Sequence, residues 1–378
     1  MKPYNVKIDH FSMRLPENVV SNREFFERVS HYKLAAEIGP EAYLAIPEGD
    51  RLRIAQEKYP CSPDGFEAIT MIRQRYQYNA DASLVDKSIE VLQQALEEAG
   101  WDPSSLDFII FSSVSRGYQN RDMVIPSVGC RIQEAVGARN AWAYDMQAAC
   151  SGWVYPVQQA TAFIQSGMAK RGAIVVTEIA DAGLDYTNER SAGLIGDVAT
   201  ATLMSWSDEP GIFDVICEAN RDPRVPSDII TTGHPAPPPH VVSEPFCPIA
   251  FPARRSQIPP VYAPFALKGK TVFGAGIREM ARHARNNMAT AQEGFQREPD
   301  WYVFHQANGA MLMKIIGDLG IDPARNLYNI DRLANTIGAT IPSVMAEVWG
   351  TKVKPGELVS AVAFGGGVTS GRLVFRKF

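Results

Sequence analysis

The sequence has no run of 18 or more apolar residues, the length a membrane-spanning helix requires. Cysteine is scarce and ill-placed for cross-linking: five residues (Cys61, Cys130, Cys150, Cys217, Cys247), widely spaced, with no Cys-x-x-Cys pair. An odd, scattered set argues against a disulfide framework and against a zinc site. Excess charge is small, −5 overall, which speaks against nucleic acid or an anionic membrane as the main partner. The opening Met-Lys-Pro-Tyr-Asn-Val has no signal-peptide core. The expectation is a reduced, cytoplasmic protein, with neither nucleic acid nor membrane as partner.

What is present is ordinary globular composition over 378 residues, enough for two domains or one large α/β unit. Residues 82–100 predict an amphipathic helix, with Leu84, Ile89, Leu92, Ala95 and Leu96 on one face and Gly100 as the stop. Asp-Phe-Ile-Ile-Phe-Ser at 107–112 predicts a buried strand of the parallel-sheet type. Residues 22–56 read as helical and charged, 125–136 as a helix opened by Pro126, and 269–287 as a helix with Arg278, Arg282 and Arg285 outward. That basic face is either simply solvated or a dock for an acidic carrier. Ten prolines within 234–264 preclude a long helix or central strand there, leaving a linker, a lid or a dimer-wrapping arm.

Residues 140–178 organise the rest. They predict a strand ending near Asp145, a turn of small residues, a helix over 151–166 and a buried strand at 173–177. Cys150 falls at the turn, where helix N–H groups and the positive end of the helix dipole are expected to lower a thiol's pKa. A thiolate there suits acyl transfer through a thioester; a buried structural cysteine is the plain alternative.

The second half repeats the first. Asp-Trp-Tyr-Val-Phe at 300–304 matches Asp-Phe-Ile-Ile-Phe at 107–111, which sets His305 opposite Ser112. With a shift of 186, Asp145 meets Asp331, Gly152 meets Gly338 and Pro156 meets Pro342, so Cys150 falls opposite Thr336, beside Asn335. Glu209-Pro210-Gly211 marks the boundary, giving halves 1–206 and 207–378. Packed about a pseudo-twofold axis, such halves bring Cys150, His305 and Asn335 together. His305 ends a buried strand, where open α/β sheets place ligands, although a lone histidine there is commonly structural. Asn335 precedes a helix and could be a plain N-cap. Gly365-Gly366-Gly367, after Phe364, lets backbone N–H groups approach a ligand or makes a turn. Together these offer a nucleophile, two side-chain donors and an oxyanion site.

Four motifs occur in order: Asp-Met-Gln-Ala-Ala-Cys-Ser-Gly (145–152), Phe-His-Gln-Ala-Asn (304–308), Asn-Thr-Ile-Gly-Ala-Thr-Ile-Pro-Ser (335–343) and Ala-Phe-Gly-Gly-Gly-Val-Thr-Ser-Gly (363–371). The set resembles β-ketoacyl-[acyl-carrier-protein] synthase III of the thiolase superfamily, as do Gly196-Asp197 and Leu267-x-Gly-x-x-Val-Phe273. The resemblance implies a thiolase-like α/β fold of two duplicated halves packed as a layered αβαβα sandwich. It further implies acylation of Cys150 by a primer thioester and decarboxylation of a malonyl thioester assisted by His305 and Asn335. Attack of the resulting carbanion on the acyl-cysteine would give a β-ketoacyl thioester. The N–H groups of Cys150 and Gly366 would form the oxyanion hole, with Ile125, Phe364 and Gly365 binding substrate and Ile125 reaching into a partner's pocket. No metal or redox cofactor is implied. Partners would be acyl- or malonyl-CoA or an acyl carrier protein, and a second copy in a homodimer.

The text departs from the family's Trp-x-x-x-Arg-Thr-Gly-Ile-Arg-x-Arg at 65–75, where the Trp and first Arg are missing, and Ala310 stands where an Arg is common. Added length before Phe66 and in 234–264 suggests a specialised, secondary-metabolism member. Simple acyl transfer or non-decarboxylative condensation on the same cysteine, and a silent scaffold subunit, are the competing readings.

Overall fold

The computed structural model describes residues 1–79, 81–115, 125–180, 184, 186, 188–219, 221–231 and 266–378. The proline-rich stretch 234–264 lies outside them. Two mixed sheets carry the fold. One runs in the order Val6–Arg14, Val198–Trp206, Arg171–Glu178, Phe108–Ser112, Trp142–Met146. The other runs Pro3–Tyr4, Ile212–Ala219, Thr369–Arg376, Leu358–Gly365, Trp301–Phe304, Asn326–Leu327. Each has three parallel strands at one end and antiparallel partners at the other. The same arrangement built twice is the repeat predicted from the sequence. Among the described residues only the two-residue strand Pro3–Tyr4 crosses over, pairing with Ile212 and Phe213 of the second sheet.

Layering follows from which faces are apolar. Helices Val154–Gln165 and Thr340–Val348 lie between the sheets: Val154, Val157, Ala160 and Ile164 of one share a core with Ile341, Val344 and Met345 of the other. That core also takes inward residues of both sheets, among them Phe108, Ile174, Val303 and Ala361. Leu84–Ala99 and Val128–Val136 cover the outer face of the first sheet, and Gly269–Phe295 and Gly309–Leu319 that of the second. The result is an αβαβα sandwich. Helix Leu84–Ala99 ends, as its sequence predicts, at Gly100 in the left-handed conformation, and it begins two residues later than 82, where the Ser83 hydroxyl accepts from the Asp86 N–H.

Several boundaries differ from the sequence reading. Residues 22–70 make four helices, Asn22–Ile38, Pro40–Ala45, Glu48–Lys58 and Pro63–Thr70, broken at Gly39 (φ 84°) and by prolines 47 and 63. The helix after Pro126 starts two residues later, at Val128, because the Ser127 hydroxyl accepts from the Cys130 N–H and fixes the cap there. The long helix of the second half runs to Phe295 rather than Asn287. Its Arg282 is not a free outward charge: it pairs with Glu218 and Glu279, and Arg278 stands 3.7 Å from Asp222. Among the described residues no helix is long and apolar enough to cross a membrane.

Candidate active site

The halves meet at the glycines that the repeat pairs. A Cβ added to Gly338 would stand 3.4 Å from the Gly152 Cα and 3.1 Å from the Ala149 carbonyl. This contact brings the turn carrying Cys150 against the turn that follows Asn335.

Cys150 lies in the 3-10 turn Ala149–Ser151, entered through Ala149 at φ 47°. The regular helix begins only at Val154, not at 151, because the chain must first pass the other half at Gly152. The thiol is packed among Val114, Ala180, Leu184, Leu194, Ile195 and Ile337. The consequence runs against the sequence expectation. Burial pushes the Cys150 thiol up to about 12, and the Glu178 carboxylate adds to the rise. The N–H groups of Gly366 and of Cys150 itself pull the other way and do not prevail. Proximity to a helix start is a small effect beside complete desolvation.

The glycine loop is built around this turn. A Cβ on Gly365 would come within 2.7 Å of the Cys150 nitrogen and 3.0 Å of the Ser151 nitrogen, so only glycine fits. The Thr369 hydroxyl donates to the Ala148 carbonyl at 3.0 Å and to that of Gly366 at 3.1 Å, tying the loop to the turn. Phe364 sends its ring into the outer core with Val272, Met311 and Val368, so it offers the pocket backbone only. Ile125 is 83% exposed and lies outside the pocket of its own chain.

His305 follows the strand Trp301–Phe304, its N–H donating to the Val362 carbonyl at 2.8 Å. Its Nδ1 lies 2.9 Å from the Thr340 hydroxyl, which also donates to the Ile337 carbonyl at 3.2 Å. Burial lowers His305 to about 3, against a small upward pull from the Ile337 backbone, so the ring is neutral at pH 7. Next in the chain, the Gln306 side-chain oxygen Oε1 accepts from the N–H groups of Asn329 and Ile330, both at 2.9 Å. Asn335 is held by its backbone: its N–H donates to Leu194 and its carbonyl accepts from Gly196. Its side-chain oxygen accepts from the Ile337 N–H at 2.8 Å, which leaves the NH2 end to donate.

Ile337 is therefore the common point. Its side chain shares a buried cluster with Cys150, its carbonyl lies beside His305 and Thr340, and its N–H holds Asn335. It adopts φ 52°, a conformation a β-branched residue takes only when its surroundings impose it. The sequence reading does not single out Ile337, or Glu178, 1% exposed at the end of its strand. An acidic residue closing an otherwise apolar strand is the signal that could have marked the latter.

These buried groups govern acid stability. An unfolded histidine takes a proton near pH 6.5, whereas His305 and His283, both lowered by burial to about 3, do not. Each therefore removes about 1.4 kcal/mol of stability per pH unit as pH falls from 6.5 toward 3. Glu178, raised by burial from 4.5 to about 7, keeps its proton in the fold and opposes one of them between those values. Urea midpoints are expected to fall on acidification below pH 6.5, and His305→Asn to flatten the fall. An unchanged slope in the variant would contradict the assignment.

Comparison with known proteins places the chain in a family and agrees with its fold. The family model described as 3-oxoacyl-[acyl-carrier-protein] synthase III matches residues 144–220, and that of its C-terminal part matches residues 291–377. The β-ketoacyl-[acyl-carrier-protein] synthase III of Streptococcus equi subsp. zooepidemicus is 30% identical over 299 residues, 77% of this chain and 84% of the relative. That of Pectobacterium atrosepticum is 29% identical over 341 residues, 90% of this chain and 98% of the relative. In fold, the Pseudomonas aeruginosa 3-oxoacyl-(acyl carrier protein) synthase III superposes with a TM-score of 0.76 at 22% identity, covering 99% of this chain and 98% of the other. The chain is a member of the β-ketoacyl-[acyl-carrier-protein] synthase III family, acyltransferases of the condensing-enzyme type.

Proposed function

We propose that Cys150 takes an acyl group from a donor thioester and that His305 and Asn335 then drive decarboxylative condensation with a malonyl thioester. The half at 1–206 supplies the nucleophile and the half at 207–378 the two donors. The observation that carries this reading is the turn at Ile337, which bonds Asn335 and His305 and shares a buried cluster with Cys150.

In the first step the sulfur attacks the donor carbonyl and its proton passes to neutral His305, then to the departing thiolate. The tetrahedral oxygen sits on the N–H groups of Cys150 and Gly366, both of which already point at the sulfur. In the second, the malonyl C–COO⁻ bond breaks, CO₂ leaves, and the enolate oxygen receives hydrogen bonds from the Asn335 NH2 and from His305. The carbanion attacks the acyl carbonyl, and collapse of that adduct expels the Cys150 sulfur. Thr340, whose hydroxyl can donate to or accept from Nδ1, supports either tautomer His305 needs. In this scheme the protein needs no metal or redox cofactor.

The thioesters are carried by CoA or an acyl carrier protein in a cytoplasmic setting, which the free thiols Cys61, Cys130, Cys150 and Cys217 suit. The missing Trp and first Arg at 65–75 and Ala310 in place of an Arg, with the helices at 22–70, support a specialised role and a primer not held as CoA usually is. The protein acts as a homodimer. Strand Trp142–Met146 ends its sheet, bonded among the described residues only to Phe108–Ser112, with Trp142 and Ile125 exposed nearby. A sedimentation run finding only monomer would refute that part. The reading as a whole is tested by intact-mass analysis after offering a panel of acyl-CoAs and acyl carriers. One acyl mass on the wild-type chain supports it and names the primer; no adduct from any donor contradicts it.

A further inference from the structure

Arg75 lies in the strand Gln74–Gln77 with none of its surface exposed, a costly place for a guanidinium. Its Nη2 donates to the Asn22 side-chain oxygen at 2.7 Å and to the Gly193 carbonyl at 3.0 Å, and Nη1 reaches the Ser21 carbonyl at 3.5 Å. The guanidinium carbon stands 4.6 Å from the centre of the Phe25 ring and 6.0 Å from that of Phe66. Asn22 is fixed in turn: its NH2 donates to the Ile72 carbonyl at 2.6 Å and its N–H to the Arg73 carbonyl at 3.1 Å. The planar fork is therefore aimed, and one prong ends on Gly193.

Gly193 opens the segment that holds Asn335. The Leu194 carbonyl accepts from the Asn335 N–H at 2.8 Å, the Gly196 N–H donates to the Asn335 carbonyl at 3.1 Å, and Ile195 pairs with Asn335 as a parallel bridge. At the far end the Asp197 N–H donates to the Tyr76 carbonyl at 2.9 Å. Two neighbours in one strand thus grip the segment at both ends, Arg75 by its side chain and Tyr76 by its backbone. The fit is close: a Cβ on Gly196 would stand 2.2 Å from the Leu333 carbonyl and 3.4 Å from the Arg75 Cβ.

We propose that Arg75 is a positioning residue for Asn335: by holding Gly193 it fixes the 194–196 segment, and through that segment the direction of the Asn335 NH2. The proposal rests on Asn335 as a donor to the enolate. It gives helix Asn22–Ile38 a part in the second step of the reaction, since Asn22 and Phe25 seat the guanidinium.

The test measures CO₂ release from a malonyl thioester, and acylation of Cys150, in the full chain carrying Arg75→Lys, Asn335→Asp or both. Lysine keeps the charge beside Phe25 but ends one bond short of Nη2, so the hold on Gly193 is lost. CO₂ release is expected to fall about 10- to 100-fold, the scale for misplacing a group without removing it, with acylation reduced far less. In the Asn335→Asp background the same change is expected to lower CO₂ release no further, because the donor that Arg75 orients is already gone. A fall that repeats in full in that background marks a general structural role and overturns the proposal. Undiminished CO₂ release from Arg75→Lys alone overturns it as well. Should the lysine variant not fold, Arg75→Met, uncharged and similar in length, carries the same cycle with the same expectations. Undiminished CO₂ release from Asn335→Asp alone would sink the condensation reading and the proposal with it, so failure of the reading is told apart from failure of the proposal.

Discussion

Replacing Cys150 with alanine is expected to abolish the acyl adduct and to lower condensation by on the order of 10⁴-fold or more, with the fold intact. The size follows from chemistry rather than packing. Cys150 belongs to a cluster with Val114, Ala180, Leu184, Leu194, Ile195 and Ile337, and losing one sulfur from that cluster leaves a cavity smaller than a leucine truncation does. Without the sulfur, however, no covalent intermediate exists to receive the carbanion. Decarboxylation of a malonyl thioester, which needs only His305 and Asn335, should persist in this variant. Measuring CO₂ and β-keto product in parallel checks both halves of the statement. Normal product from the alanine variant would remove Cys150 from the mechanism.

The converse loss is expected from Asn335→Asp. The side-chain oxygen of Asn335 already accepts from the Ile337 N–H, and an aspartate keeps that bond. What it cannot keep is the NH2 donor, and it adds a negative charge where an enolate must form. Acyl-enzyme formation should survive, while decarboxylation falls about 10²- to 10³-fold, the scale for losing one oxyanion donor. Undiminished CO₂ release would remove Asn335 from its role. A thermal melt close to wild type is part of the expectation, because the backbone bonds from Asn335 to Leu194 and Gly196 do not involve the side chain.

The sequence carried the fold wherever burial was complete on both faces. Phe108–Ser112 and Leu358–Gly365 are buried along their whole length, and a continuous apolar run is how such strands read. The pairing of Gly152 with Gly338 was legible because close backbone approach restricts both positions to the same residue type, and that restriction survives as a repeat. Features set by contacts distant in sequence were not legible. Cys150's acidity depends on Val114, Leu184 and Leu194 arriving from separate loops, and a helix-start argument sees none of them. Glu178 gains its meaning from hydroxyls 63 to 65 positions away. Phe364 lies next to the glycine loop, yet strand alternation sends its ring outward to Met311. Helix Asn22–Ile38 is tied to later residues through Tyr32 stacked on Tyr186 at 4.9 Å and Lys33 paired with Glu189, neither of which periodicity reveals.

In the proposed reaction a sulfur in one half and two donors in the other act on a single bound substrate. The direct trial is a single turnover: enzyme acylated in advance on Cys150 is mixed with carboxyl-labelled malonyl thioester, and CO₂, acyl adduct and product are quenched together. Release of one CO₂ per adduct consumed, with β-ketoacyl thioester appearing in step, is the predicted result. Adduct that leaves with no CO₂ released, its acyl group moved unchanged to another acceptor, would contradict it.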